Sequence, residues 1–185
     1  QIVAHTDITS SSMSWWDSWW NSSKNLKLEI NYTIYMPSSM PVIIENKYGN
    51  INLPDLCAKT SINLKYGNLQ TQDINADLLM DLSYGKATFG NVENLSATIS
   101  YSDIRGTSAN HAILTTKYSK VNVDNIKTLI ASSKYDTYRI ITTNSVTMTG
   151  KYDDIEIGNL GSGVFTLKYT GMEISSLGEN ITADI

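Results

Sequence analysis

Asp153, Asp154 and Glu156 fall within one four-residue stretch. Acids so close can move protons or hold a cation, as they do in polysaccharide lyases and hydrolases. Asp153 and Asp154 are equally ordinary turn formers. His5 and His111 are isolated and Cys57 is the single cysteine, so no His/Cys/Asp spacing suggests a metal, and Cys57 reads as a small core or loop residue. The sequence contains no phosphate loop, nucleophile elbow or nucleotide fingerprint. No catalytic, metal or cofactor-binding residue is therefore expected, and no cofactor. A polysaccharide-active enzyme built on Asp153–Glu156 stays open as an alternative.

Residue types suited to binding are plainer. Lys47, Lys65, Lys117, Lys134, Lys151 and Lys168 each precede a tyrosine, and Ser83 and Ser100 fill the two places between. Stacked, their ammonium groups would line one edge. That edge is either a strip for anionic ligands such as acidic glycans, or a solvated column that discourages edge pairing, with Asp103, Asp136, Asp153 and Asp154 nearby to compensate. All four tryptophans, Trp15, Trp16, Trp19 and Trp20, lie in SWWDSWW. Their faces suit sugar rings or a protein partner, or they fold back as part of a cap. Leu79, Ile113, Ile130 and Val164, five places before tyrosines, break the alternation by facing outward. They offer an apolar stripe to a partner or a second subunit, unless a loop covers them. Asn63, Asp81, Thr98, Thr115, Ser132, Thr149 and Thr166, three places before, form a file that could order water or simply support a sheet.

The elements that must position these residues repeat. Tyr48, Tyr66, Tyr84, Tyr101, Tyr118, Tyr135, Tyr152 and Tyr169 differ successively by 18, 18, 17, 17, 17, 17 and 17. A fixed period near 20 residues marks a solenoid, whose single turns cannot bury their apolar faces alone. Around each tyrosine, apolar residues recur two, four and six places before it, as in Leu78, Met80 and Leu82. They recur again three, five and eight places after it, as in Val121, Val123 and Ile126. The period of two gives strands with one buried face, and the breaks in parity give corners.

The expected fold is thus an all-β, single-stranded parallel β-helix of about eight 17–18-residue coils, right-handed by crossover chirality. An antiparallel sandwich would not require identity at a 17-residue step. Parity places the tyrosines inward at a corner, rings buried and hydroxyls wet, and the Gly, Asn, Ser and Asp residues that follow them read as turn formers that tolerate positive φ or bond their own backbone. Residues 1–24 form a Trp/Ser-rich segment or loop. Residues 25–47 form a capping strand and entry, with strict alternation over Asn25–Met36, and residues 48–185 form the repeats. Asn180, Thr182 and Asp184 fall at normally apolar positions of the last coil, as a polar outer cap would.

Bulk properties agree with this plan. The chain has 185 residues, 41% hydrophobic and only 17% charged, which suits a sheet-rich protein rather than a disordered one. A net charge of −4 supplies no basic field, so nucleic acid is not an expected partner. No apolar run approaches a membrane span of about 18 residues. The start at Gln1 fits removal of a leader.

The segments INYTIYMPSSMPVIIENKYGNINL and LKYGNLQTQDI resemble the DUF4097-type adhesin family of β-strand repeats, over about residues 25–185. The resemblance implies a parallel β-helix that is exported to the periplasm, outer-membrane surface or exterior and binds a glycan or envelope protein. It supplies no catalytic residues. The expected function is non-enzymatic adhesion or envelope interaction. A purely structural scaffold, including a homodimer through the apolar stripe, is a further alternative.

Overall fold

The computed structural model describes residues 31–184. The chain divides into two units, Gln1–Tyr35 and Met36–Ile185. All twelve strands belong to the second. β1 (Val42–Lys47) and β2 (Ile51–Leu53) open the first coil, β3 (Thr60–Lys65) and β4 (Asn68–Thr71) the second, and β5 (Ile74–Ser83) leads into the third. Five strands then each run around most of a coil: β6 (Lys86–Ser100), β7 (Asp103–Lys117), β8 (Lys120–Lys134), β9 (Thr137–Lys151) and β10 (Asp154–Lys168). β11 (Gly171–Leu177) and β12 (Ile181–Asp184) follow.

Every pairing is parallel, and each coil pairs with the next in sequence: an all-β solenoid of about eight turns. Partners are 18 residues apart in the first coils, as in Ile44↔Ile62. An irregularity between Ile74 and Asp77 removes one residue from the step, and Leu78 pairs with Leu95. The change from 18 to 17 in the tyrosine spacing is this bulge.

Inward positions follow the expected register. Leu78, Leu82, Ile99, Ile104, Leu114, Val121 and Phe165 are all at most 1% exposed, within one continuous core. Alternation along each strand keeps the intervening residues outside.

The tyrosines depart from it. All eight adopt positive φ, between 50° and 63°, and no glycine does. In the left-handed region the chain turns within one residue, which breaks the alternation at the tyrosine itself rather than after it. The residue before and the tyrosine both face outward, and the residue after it turns in. Tyr118 is 43% exposed whereas Ser119 is 4% exposed. The turn formers that follow the tyrosines tolerate positive φ but do not adopt it.

Both ends also differ from expectation. The strand expected over Asn25–Met36 is not found in its described part, residues 31–36, which has no strand; the remainder lies outside the described residues, as does the 1–24 segment. At the other end, Gly163 pairs with Ile181, a step of 18, so one extra residue enters between β11 and β12. Parity therefore shifts by one. Ile181 and Ala183, not Asn180, Thr182 and Asp184, take the inward register, and Ile181 packs against the core.

Candidate binding edge

The tyrosine corner is the most ordered exposed feature. Consecutive rings stack with centroids 4.8–5.1 Å apart and planes within 17°. Parallel strand spacing sets that distance. Each tyrosine N–H up to Tyr152 donates to the carbonyl of the residue before the next ladder tyrosine, as Tyr118 N does to Lys134 O at 3.0 Å. Backbone pairing thus continues through the left-handed residue. Because neighbours cover both faces of the inner rings, the ladder shows solvent its ring edges and hydroxyls. A shallow groove of about 430 Å³ runs beside it, lined by Tyr101, Tyr118, Tyr135, Asp103, Lys120 and Thr137.

Lys47, Lys65, Lys117, Lys134, Lys151 and Lys168 line the other flank. Each Nζ sits 4.9–5.6 Å from the centroid of its following tyrosine, within cation–π range. Lys151 also reaches Tyr169, at 6.0 Å. Lysine and aromatic columns are therefore one surface.

Beneath that surface runs a polar ladder that sequence reasoning missed. It is made by the residues directly after the tyrosines. Gly85 N donates to Ser102 Oγ, Ser102 N to Ser119 Oγ, Ser119 N to Asp136 Oδ1, Asp136 N to Asp153 Oδ1 and Asp153 N to Thr170 Oγ1, at 2.6–3.3 Å. Each side chain satisfies the N–H of the coil before it, which a buried corner requires. Asp136 also accepts from Lys134 N at 2.8 Å and from Thr116 Oγ1 at 2.6 Å. Since Thr116 gives its proton to Asp136, the 2.7 Å contact between Thr116 Oγ1 and Tyr138 Oη has Tyr138 donating. Asp153 accepts from Ser133 Oγ at 2.8 Å.

Burial is the main influence on Asp136 and holds its carboxyl above the usual range, against the lowering effect of three hydrogen bonds. Burial likewise pushes the Tyr138 phenol far up. A sequence signal for this cluster did exist. Two places before the tyrosine, Leu64, Leu82 and Ile99 give way to Thr116, Ser133 and Gly150 in the coils whose corners hold Ser119, Asp136 and Asp153.

Two of the four aspartates expected to compensate the lysines, Asp136 and Asp153, are thus turned inward and committed to backbone and hydroxyl groups, while Asp103 and Asp154 stay at the surface. Asp153, Asp154 and Glu156 do not converge: Asp153 is buried, Asp154 is exposed, and Glu156 pairs with Arg139 at 2.7 Å. That pair lowers Glu156 and raises Arg139, chiefly through the hydrogen bond. Among the described residues this is the one ion pair. No group of three or more His, Cys, Asp or Glu side chains there could hold a metal. His111 and Cys57 are exposed, the latter as a loop residue rather than a core one, with its N–H bonded to Ser38 O at 2.9 Å.

Ile113, Ile130 and Val164 stand out from the sheet at 54%, 49% and 52% exposure, in the column facing the solvent beside Thr115, Ser132 and Thr166. Trp15, Trp16, Trp19 and Trp20 lie outside the described residues. Comparison with protein-family models, with curated proteins and with solved structures finds no match to the chain.

Proposed function

We propose that the chain is a non-enzymatic, exported β-solenoid of adhesin or envelope-binding type that recognises its partner along the tyrosine–lysine edge. One observation carries this: an unbroken exposed ladder of eight stacked tyrosines, flanked by lysines that form no ion pair with an acid among the described residues. Ring stacking contributes to folding at each corner, and it also leaves an aromatic edge open to solvent. Repeating a solvent-facing aromatic in left-handed backbone eight times fits selection for a surface. The dispersal of Asp153, Asp154 and Glu156 supports the non-catalytic side, and the DUF4097-type segments support the adhesive one.

A glycan array and pull-downs from envelope extracts test the reading, with residues 13–20 deleted in parallel to weigh the tryptophan segment. Retention of a glycan or envelope protein is expected. Failure to retain anything, together with cleavage of a polysaccharide, would reverse the assignment in favour of the enzyme. The exposed Ile113 and Ile130 favour a second role, association of two copies through that column. Light scattering should then show a dimer that Ile113→Lys with Ile130→Lys converts to monomer; a monomeric wild type removes the idea.

A further inference from the structure

Lys117, Lys134, Lys151 and Lys168 occupy four consecutive coils and pair directly across the sheet, Lys117 with Lys134, Lys134 with Lys151, and Lys151 with Lys168. Their step is the strand spacing, about 4.7–4.9 Å. Like charges placed opposite one another repel, and among the described residues no acid forms an ion pair with this row. On one side lie Thr115, Ser132, Thr149 and Thr166, exposed and uncharged. On the other lie Tyr118, Tyr135, Tyr152 and Tyr169. Of the corner acids, Asp136 and Asp153 are buried beneath, and the exposed Asp154 makes no ion pair with the row. The chain as a whole carries −4, so the row is a straight cationic track on an acidic protein. Electrostatic complementarity would admit a polyanion there and disfavour it elsewhere.

Building on the proposed recognition edge, we infer that this track binds a linear acidic polysaccharide with one carboxylate or sulfate on each sugar, laid along the solenoid axis. Spacing and surface chemistry choose among polyanions. An extended acidic peptide shows same-side carboxylates every second residue, about 6.6–6.8 Å, and falls out of register within two coils. Single-stranded nucleic acid is held by base stacking on open aromatic faces, and the faces of Tyr118, Tyr135 and Tyr152 are covered by their neighbours at 4.8–5.1 Å. An extended pyranose chain advances by about one sugar per coil, so even where successive rings flip, every second acidic group returns to the same side in step with every second lysine. Its ring hydroxyls would meet the row of phenol hydroxyls while its acidic groups meet the ammonium groups. Neighbouring tyrosine contacts hold the lysine heads near the corner, so less side-chain freedom is lost on binding.

The test is affinity electrophoresis and calorimetry of the whole chain with a polyuronate oligomer. A neutral oligosaccharide, polyglutamate and single-stranded DNA serve as comparators, at two salt concentrations. Polyuronate should bind best, more weakly at the higher salt. Lys117→Gln/Lys134→Gln/Lys151→Gln should weaken it at least tenfold and flatten the salt dependence. Lys59→Gln/Lys86→Gln/Lys127→Gln, with the same change in net charge on other columns, should leave it within twofold. Unfolding curves confirm that both variants fold. Equal loss in the two variants, or equal binding of polyglutamate or DNA, overturns the inference. If polyuronate fails to bind while envelope extracts are still retained, this inference alone falls; if neither binds, the recognition edge falls with it.

Discussion

Tyr118→Gly should be less damaging than Tyr118→Ala, the reverse of the order expected in a strand. Tyr118 has φ 50°, stacks on Tyr101 at 5.0 Å and Tyr135 at 4.8 Å, and carries the Lys117 ammonium at 5.4 Å. Either substitution deletes two ring pairs at about 0.5–1.5 kcal/mol each and an exposed cation–π contact of about 0.5–1 kcal/mol. The shared loss is therefore about 1.5–4 kcal/mol. The backbone then separates the two variants. Alanine keeps the left-handed strain, about 1–2 kcal/mol, while glycine escapes it but costs about 0.5–1 kcal/mol in chain entropy. Glycine should come out ahead by about 0.7 kcal/mol, and by no more than about 1.5 kcal/mol. Urea unfolding at constant m-value measures the difference. Thr115, on the strand two residues before Lys117, supplies the control pair, where alanine should exceed glycine. If Tyr118→Ala is more stable than Tyr118→Gly, the left-handed corner is wrong. If both cost less than about 0.5 kcal/mol, the ring stack contributes nothing to folding.

Two further outcomes follow from the corners. A Cβ on Gly67 would overlap the Gly49 carbonyl oxygen, which is backbone and cannot swing aside, whereas one on Gly171 meets only Asp154 Oδ1 at 3.5 Å. Thermal or urea unfolding should show Gly67→Ala destabilised by about 1–3 kcal/mol and Gly171→Ala changed by less than about 0.5 kcal/mol. Asp136 tests the buried ladder through pH. Its folded carboxyl is held above the unfolded value, so from about pH 4 upward the folded state binds more protons and this group's contribution to stability falls as pH rises. Asp136→Asn has no such proton. The stability of wild type relative to this variant, followed by Tm between pH 3.5 and 7.5, should decline with rising pH; a constant or rising difference would contradict the burial of a titrating Asp136.

The fold was legible because its signal is repetition: the inward residues, the number of coils and even the bulge are written in the tyrosine spacing. The direction of the tyrosines was not. Parity counting assumes that each residue flips the side chain, and one left-handed residue breaks that count without any glycine to announce it. The same slip hid Asp136 and Asp153, which resemble ordinary turn residues in type and are buried only because the tyrosine before them turns the chain. Their partners Thr116, Ser133 and Gly150 carried the compensating volume change in plain view. At the last coil, one inserted residue between β11 and β12 exchanged the inward and outward sets, so Ile181 rather than Asn180 packs inside. The lysine row was visible as a column, but its freedom from acidic partners depends on where Asp136 and Asp153 point.

Limited tyrosine nitration read by peptide mass spectrometry reports whether the ladder faces outward as an accessible edge. Tyr48, Tyr66, Tyr84, Tyr101, Tyr118, Tyr135, Tyr152 and Tyr169, at 39–71% exposure, should react in the native protein, whereas Tyr138, at 0%, should react only after unfolding. Native-state protection of the ladder tyrosines equal to that of Tyr138 would put the rings inside the coil and remove the recognition edge.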